Sequence, residues 1–340
     1  MAALNVALHS PYEPVPVLLQ AERDGVRNDI WLVLVGCGGN GSWLAPHLAR
    51  RTWQLNRTWQ QLAAQHLDNP GRFRREIRLV FVDPDVVEMK NIEARQNFSP
   101  ADVGLPKAQV LAARYALAYG LPIRPIVAPF DIAKIQGSQY GGGVETFLIV
   151  GCVDNAKARQ SINAALARNV GARWPAVWWL DAGNSRAAGQ VILGNTASIE
   201  RLAGALQGAV CSRLPSPALV EPGLLVSKED EDESAGVANL SCEELALADQ
   251  QSPVINPHMA VWLDTYIHGL LYGGLKLCAT YVSLDVGTVR SVETSAQDWG
   301  RLLGKDPSFF LEPPPEAQPQ DAEEASQADE GELEAEGSEE

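Results

Sequence analysis

The feature that most constrains the fold is the stretch WLVLVGCGGNGSWLAPHLAR at residues 31–50. The apolar residues at its beginning are typical of a buried strand, and the glycines that follow are typical of a tight turn. The last part has the pattern of the first turns of a helix. Gly36, Gly38 and Gly41 satisfy the spacing G-x-G-x-x-G at that turn. Small residues let the backbone approach a phosphate, and the N-terminal amides of the helix favour its charge. The segment therefore predicts a phosphate-binding turn.

Short apolar runs continue to alternate with helical patterns along the chain, which predicts an α/β fold with a doubly wound, mostly parallel sheet. A later amphipathic segment predicts a helix from Pro257 to Tyr272, followed by two strands that turn at residues 285–287. We expect this helix and strand pair to form a C-terminal extension of the sheet. The predicted strands cover 30–35, 77–82, 123–128, 146–150, 176–180 and 190–193, and the other predicted helices cover 42–51, 107–119 and 156–170.

The formal net charge of −15 is concentrated at one end. Twelve Asp or Glu and no Lys or Arg lie between Glu312 and Glu340, so residues 1–311 carry only −3. A segment so acidic and so poor in apolar residues is expected to be disordered, and a solubilising role is favoured over a docking role. These features predict an N-terminal arm at 1–29, one main domain at 30–305 that contains the phosphate-binding turn and a mobile acidic loop at 227–241, and a disordered tail at 306–340.

The composition also excludes several classes of protein. The near-neutral part of the chain has no basic block, which argues against a nucleic-acid partner. Neither a signal peptide nor an 18-residue apolar run is found, so a cytoplasmic protein without membrane contact is expected. The five cysteines contain no C-x-x-C pair, which argues against a disulfide framework and a structural zinc site.

A second group of motifs indicates which kind of phosphate-containing ligand the turn would bind. A dinucleotide fold expects an acidic residue about 20 residues after the glycines, whereas here the strand IRLVFVDPD ends at Asp83, 42 residues beyond Gly41. The runs VDPDVVEMKNIEARQNFSPADVGLPKAQVLAARY and FLIVGCVDNAKARQSIN bring further polar residues to predicted strand ends, where ligands of such sheets bind. This set predicts an ATP site for nucleotidyl transfer, and an NAD(P)-dependent oxidoreductase is the weaker alternative. The polar residues are Asn91, Arg95, Gln96, Lys107, Asp154 and Asn155.

These segments resemble the ThiF/MoeB/ubiquitin-activating family, whose pattern is G-x-G-G-x-G-S, then D-x-D-x-V-x-x-x-N-x-x-R-Q, then G-x-x-K, then D-N. The match runs over residues 31–163, and within the family the chain is most similar to the ThiF-like proteins of PRTRC-type gene clusters. The resemblance implies a homodimer that uses ATP and Mg²⁺. Its implied activity is adenylation of the C-terminal carboxylate of a small ubiquitin-like (β-grasp) protein.

The resemblance also implies a role for each matching residue. Asp83 would bind the ribose and Asp154 would hold Mg²⁺, with Asn155 on the nucleotide side. One departure puts the site in doubt, because Arg95 is the fourth residue after Asn91, where the family has its arginine third. If a local bulge does not restore the arginine, a non-catalytic nucleotide-binding scaffold becomes the alternative. The phosphates would be lined by Gly36, Gly38, Gly39 and Gly41, and the triphosphate would be surrounded by Asn91, Arg95, Gln96 and Lys107.

Several of these residues have an ordinary structural interpretation as well. Asp154 fits the cap of a helix that begins near residue 156, Asn91 fits a turn, and Lys107 fits a solvated lysine at a helix start. The family often borrows an arginine from the dimer partner, for which Arg23 and Arg27 are candidates, although a surface salt bridge is the commoner role. The sequence leaves these alternatives open.

Whether a thioester follows adenylation depends on an exposed cysteine. Cys242 follows the acidic loop, where a thiolate would be accessible, but its neighbours Glu243 and Glu244 would raise its pKa. Cys242 is therefore a candidate nucleophile with a structural role as the alternative. Cys211 is a poorer candidate. The remaining cysteines, Cys37, Cys152 and Cys278, are predicted to be small core residues.

Overall fold

A computed structural model of the chain describes residues 15–16, 28–65, 76–135, 144–170, 175–208, 210–226 and 252–312. Three predicted features lie outside these ranges: the acidic loop at 227–241, Cys242, and the tail beyond residue 312. Arg23 and Arg27 lie outside them as well.

The described chain is built on an eight-stranded sheet with the spatial order β10-β9-β7-β6-β5-β2-β3-β4. The five strands from β6 to β4 run parallel, and β7, β9 and β10 are added antiparallel at one side. A separate parallel pair joins β1 to β8. The strands are β1 (Val15–Pro16), β2 (Asn28–Val35), β3 (Ile77–Val82), β4 (Ile123–Ile126), β5 (Val144–Gly151), β6 (Val177–Asn184), β7 (Ala188–Gly194), β8 (Val210–Cys211), β9 (Leu277–Ser283) and β10 (Thr288–Glu293).

Helices cover both faces of the sheet, as a mostly parallel sheet requires. Alternate residues of β2 point to opposite faces: Ile30, Leu32 and Leu34 join the larger core, whereas Trp31 and Val33 join the smaller one. The helices α1, α3 and α6 pack on the larger core, and α4 packs on the smaller one. The helices are α1 (Gly39–Gln65), α2 (Met89–Glu93), α3 (Lys107–Tyr119), α4 (Ala156–Ala165), α5 (Pro217–Val220), α6 (Ile255–Tyr272) and α7 (Ala296–Leu303).

The predicted α/β fold with a mostly parallel sheet is confirmed, but several boundaries were wrong. The first helix does not end near residue 51, because its apolar face continues through the buried Leu55 and Trp59. The Asn56 side chain then bonds the backbone N–H and C=O of Ile77 at 2.8 and 3.0 Å and so anchors this helix to β3. In the C-terminal extension, helix α7 was not predicted. Within the described residues, no helix is long and apolar enough to cross a membrane.

The folded part also extends further than the sequence indicated. The tail was expected to begin at residue 306, yet Pro307–Phe310 forms a 3-10 turn. Phe310 is fully buried there and packs edge-on against Trp299, with ring centroids 5.5 Å apart. An aromatic side chain contributes a large apolar area to a core, so residues 306–312 belong to the fold.

Candidate functional site

The glycine turn joins the end of β2 to the start of α1, and its glycines are required by close backbone contacts. Gly36 has φ +90°, and a Cβ there would lie 2.5 Å from the carbonyl oxygen of Cys152. A Cβ on Gly41 would lie 1.9 Å from the carbonyl oxygen of Gly36. Side-chain amides face the other two glycines, since a Cβ on Gly38 or Gly39 would meet Gln96 or Asn256. Backbone carbonyls therefore leave no room for a side chain at two positions of the turn, one carbonyl from Cys152 after β5 and one from Gly36 within the turn.

Helix α1 begins at Gly39, and its first internal bond runs from the Ser42 N–H to the Gly38 carbonyl at 2.9 Å. The first N–H groups of a helix have no acceptor inside the helix, and the helix dipole makes them attractive to an anion. Because α1 is 27 residues long and has no acidic residue in its first turn, this attraction is not cancelled locally. The helix start is thus a suitable place for a phosphate.

Asp83 follows β3 directly, and its side chain contacts this turn. One of its carboxylate oxygens accepts the N–H of Cys37 at 2.6 Å, and the other accepts the N–H of Asp85 at 2.8 Å. Burial raises the pKa of Asp83 above its usual range and outweighs these two bonds and the nearby Lys107 charge, which lower it. The structure therefore shows Asp83 fastening the glycine turn to the end of β3, at the place where a ribose was predicted.

The Asn91 side chain completes the cap of the short helix α2. Its Oδ1 accepts the backbone N–H of Glu88 at 2.8 Å, and the residue is almost fully buried. The Glu88 side chain in turn accepts from the Asn91 backbone, which is a capping box. Asn91 is thus fixed by reciprocal bonds at this corner of the site.

The backbone conformation of Arg95 accommodates the one residue by which this chain exceeds the family spacing between Asn91 and the arginine. It has φ +61° and is the one described non-glycine residue with positive φ. Its backbone carbonyl accepts the Trp43 indole N–H at 3.0 Å, and the next N–H, of Gln96, returns to the Asn91 carbonyl at 2.9 Å. The left-handed residue reverses the chain after α2, so that the Gln96 amide comes to face Gly38. A left-handed arginine costs on the order of 1 kcal/mol, and strain of this kind is concentrated at functional sites.

Lys107 is buried at the start of α3, with a side chain only 8% exposed. Its Nζ lies 3.2 Å from a carboxylate oxygen of Asp85, and that partner is 62% exposed. The Lys107 charge also lies close enough to lower the pKa of Asp83. The interpretation of Lys107 as a solvated lysine was therefore wrong, because its side chain is buried between α3 and the residues that follow β3.

Asp154 and Asn155 follow β5 at the same sheet edge. The cap of α4 is Asn155, whose Oδ1 accepts the Ala158 N–H at 2.9 Å. The interpretation of Asp154 as the helix cap was therefore wrong. Asp154 is exposed, and the Asn155 side-chain amide lies 3.4 Å from its Oδ1. An exposed carboxylate at a strand end is available to a cation.

Two groups of polar residues at this edge were not singled out from the sequence. Arg159, on α4, donates through Nε to both oxygens of Asp181 at 3.2 Å, and Asp181 is fully buried in β6, level with the last residue of β5. A chain of amides also links Asn40 to Asn184 and Asn184 to Asn256, each at 3.0 Å. Arg159 stands within the run DNAKARQSIN, but the sequence gives no sign that Asp181 is its partner.

The described cysteines are held as thiols. Burial, followed by the charge of Asp83, raises the pKa of Cys37. Burial likewise raises the pKa of Cys152, and it raises that of Cys211 and of Cys278 to about 12. These four side chains are therefore poor nucleophiles, since the thiolate is the reactive form.

The ThiF family matches residues 26–200, which is more than half of the chain. The chain belongs to the ThiF family. No curated protein matches the sequence at a significant level.

Among solved structures, PaaA is 17% identical, with 78% of this chain and 64% of that chain covered and a TM-score of 0.43. E. coli MccB, solved with AMPCPP and MccA, is 13% identical over 77% of this chain and 63% of that one, with a TM-score of 0.43. The chain thus spans less than two thirds of the length of these proteins.

Proposed function

We propose that this chain is an ATP-dependent adenylyltransferase that activates the C-terminal carboxylate of a small ubiquitin-like (β-grasp) protein. One observation supports this proposal most strongly: four features lie near the carboxyl ends of the adjacent strands β3, β2 and β5. They are the glycine turn, the start of α1, the buried Lys107 and the exposed Asp154. Membership of the ThiF family supports an activity of the adenylyltransferase type. We further propose that the enzyme works as a homodimer in the cytoplasm.

The reaction joins an oxygen of the substrate carboxylate to the α-phosphorus of ATP. The bond from this phosphorus to the bridging oxygen breaks, pyrophosphate leaves with the electron pair, and the acyl adenylate remains. No proton is transferred in this step. Negative charge grows on the phosphoryl oxygens, and a site that stabilises it must hold its cations and N–H groups in place beforehand.

Each part of the site then has a task. The helix start at Gly39 and the turn at Gly38 would bind phosphate oxygens, while Asp83 keeps the turn in place and offers its remaining lone pairs to a ribose hydroxyl. Lys107 would supply a fixed positive charge, and Arg95 would supply a guanidinium from the reversed segment. A buried ammonium acts strongly because little water screens it.

The donor set also fits Mg²⁺. This ion takes oxygen ligands and keeps several waters when it is bound through one or two carboxylates and a triphosphate. Asp154 offers an exposed carboxylate, and Gln96 Oε1 is a buried acceptor that makes no hydrogen bond in the described chain. When bound, the ion would neutralise charge on the phosphates. We propose Asp154 as its protein ligand, with Asn155 beside it on the nucleotide side.

The test is calorimetric titration with Mg·ATP and, separately, with NADH, together with ATP–pyrophosphate exchange in the presence of candidate acids. We expect Mg·ATP to bind and Asp154→Ala to lower the exchange rate by roughly 10²–10³, as for the loss of one stabilising group. Asp285→Ala, which removes an exposed carboxylate from the β9–β10 turn, is the matched control and should change nothing. Binding of Mg·ATP without exchange would favour a scaffold, and selective binding of NADH would favour an oxidoreductase.

A thioester step would extend this function. A thiolate would attack the acyl carbonyl, and AMP would leave. Because the described cysteines are buried or have raised pKa values, Cys242 is the proposed nucleophile. Mass spectrometry of wild type and Cys242→Ser after incubation with ATP and the substrate protein would detect the acyl-enzyme, which should be absent in the variant.

A further inference from the structure

The pair of Arg159 and Asp181 uses only one of the three guanidinium nitrogens. Arg159 is 8% exposed, and it reaches Asp181 through Nε alone, at 3.2 Å to each carboxylate oxygen. Its two terminal nitrogens, Nη1 and Nη2, make no hydrogen bond within the part of the chain that the structure describes. Neither nitrogen is among the fully enclosed side-chain atoms of the described residues that lack a partner, so both terminal groups keep contact with solvent and are available to an incoming acceptor.

These free donors extend toward the ligand edge of the sheet. Asp181 and Gly183 lie on the same face of β6, with Gly183 nearer to the carboxyl end of the strand. A Cβ on Gly183 would lie 3.5 Å from Arg159 Nη2, so the guanidinium passes Asp181 and reaches the strand end. A Cβ on Gly151 would lie 2.8 Å from the Asp181 carboxylate, which places the pair beside the turn that carries Asp154.

The order of the strands separates the cations of the site. Lys107 and Asp83 lie at the end of β3, the glycine turn at β2, Asp154 after β5, and Arg159 over β6. Neighbouring strands are about 4.8 Å apart, so β3 and β6 are separated by roughly 14 Å. If the phosphates occupy the ends of β3 and β2, the second reactant must approach Asp154 from the β6 side.

We propose that Arg159 binds the carboxylate of the acid that is adenylated, with Asp181 as the residue that positions it. This inference rests on the proposed function, because it assigns the acid-binding half of the same site. Two parallel N–H groups of a guanidinium match the two oxygens of a carboxylate. Asp181 already offsets part of the positive charge, which suits a singly charged carboxylate better than a polyphosphate.

The experiment measures carboxylate recognition without nucleotide. Binding of the peptide Ala-Gly-Gly as the free acid and as its C-terminal amide is followed by ligand-observed NMR on the full chain. We expect wild type to bind the acid at least tenfold more tightly than the amide. The double variant Arg159→Gln/Asp181→Asn keeps a neutral hydrogen-bonding pair of similar shape, and it should bind acid and amide equally. Lys157→Ala, which removes an exposed cation from the same helix, should keep the preference for the acid.

Arg159→Lys provides a second test if the double variant does not fold. It keeps the charge but loses the planar pair of donors, so the preference for the acid should fall severalfold without disappearing. A preference that is unchanged in both variants, or a wild type that binds acid and amide equally, would overturn the proposal.

A separate calorimetric arm measures Mg·ATP with the same proteins. Unchanged affinity in the variants supports binding of the acid by Arg159, whereas a parallel loss of Mg·ATP affinity would show that Arg159 serves a nucleotide phosphate instead. If wild type prefers the acid but shows no ATP–pyrophosphate exchange, the proposed function fails while the carboxylate site stands. The two failures are therefore distinguishable.

Discussion

The parallel and antiparallel halves of the sheet differ in what they bury. At the carboxyl ends of the parallel strands, Asp83, Lys107, Arg159 and Asp181 are all less than a tenth exposed. In the described antiparallel strands β7, β9 and β10, no charged side chain is buried, and the polar group at their centre is neutral. Buried charges are costly unless they are paired. Burial of these charges in the parallel half costs free energy, and a packed core does not need them. Such burial is expected where the chain binds charged reactants.

The largest expected difference comes from two equally crowded glycines, one in each half. A Cβ on Gly41 would lie 1.9 Å from the Gly36 carbonyl oxygen, and a Cβ on Gly194, in β7, would lie 1.9 Å from the Pro215 carbonyl oxygen. Either change to alanine should lower the free energy of unfolding by about 1–3 kcal/mol, as overpacking does. Only Gly41→Ala should also abolish Mg·ATP binding, because it displaces the glycine turn.

Urea denaturation and calorimetry of both variants would check this prediction. Gly223→Ala is the control, because no atom lies within 4 Å of a Cβ placed there. If Gly194→Ala abolished nucleotide binding as completely as Gly41→Ala, the two halves would not be functionally distinct.

Arg95 tests whether the strain in the parallel half is connected with function. Asparagine tolerates the left-handed region better than arginine, so Arg95→Asn should leave stability unchanged or raise it by up to about 1 kcal/mol. If the guanidinium contacts the triphosphate, ATP–pyrophosphate exchange should fall by roughly 10²-fold. Thermal denaturation and exchange rates measured on the same protein would separate the two effects. A variant that is more stable and fully active would show that the shifted arginine has no catalytic role.

The sequence predicted most of the parallel half and its glycine turn because these are local signals. A strand, a glycine turn and a helix start are contiguous, so the residue pattern is enough to assign Gly36 and Gly41 to the turn. The partner of Arg159 could not be predicted, because Asp181 is 22 residues away in the sequence. The contact also depends on the absence of a side chain at Gly151, where a Cβ would crowd the Asp181 carboxylate. The end of α1 was missed because the anchor between Asn56 and Ile77 is a tertiary contact.

The boundary between the halves is stabilised by a carboxylate. Asp264, on α6, accepts from Arg51 of α1 at 2.5 and 2.7 Å, and His47 lies 3.3 Å away. Burial raises the pKa of Asp264, but the hydrogen bonds from His47 and Arg51 outweigh it, so the pKa lies well below its usual range. Asp264→Asn should therefore lower the free energy of unfolding at pH 7 by about 1.5–3 kcal/mol, as for hydrogen bonds to a charged group.

The sign of this effect fixes its pH dependence. A carboxyl group with a lowered pKa in the folded state stabilises the fold above its unfolded pKa, near ~3.9, and this stabilisation is lost as the pH falls through the folded value. The difference in the free energy of unfolding between wild type and Asp264→Asn should therefore be at its full size above pH ~4 and should shrink at lower pH. A difference that stays constant down to pH ~2 would mean that the carboxylate charge is not the source of the stability.

The smallest expected effects on nucleotide binding lie in the neutral network of the antiparallel half. The Tyr266 hydroxyl bonds the Thr280 hydroxyl at 2.8 Å, and Thr280 also bonds Ser291 at 2.9 Å. Tyr266→Phe leaves Thr280 bonded to Ser291, so it should cost about 1 kcal/mol, whereas Thr280→Val leaves the Tyr266 hydroxyl buried without its partner and should cost about 1–3 kcal/mol. The double variant should cost less than the sum of the two single changes, because the unpaired tyrosine hydroxyl is removed along with its partner. Urea denaturation of wild type and the three variants measures this coupling, and Mg·ATP affinity should stay constant throughout. Additive costs would show that the two hydroxyls are independent, and a loss of Mg·ATP affinity would show that the antiparallel half contributes directly to the nucleotide site.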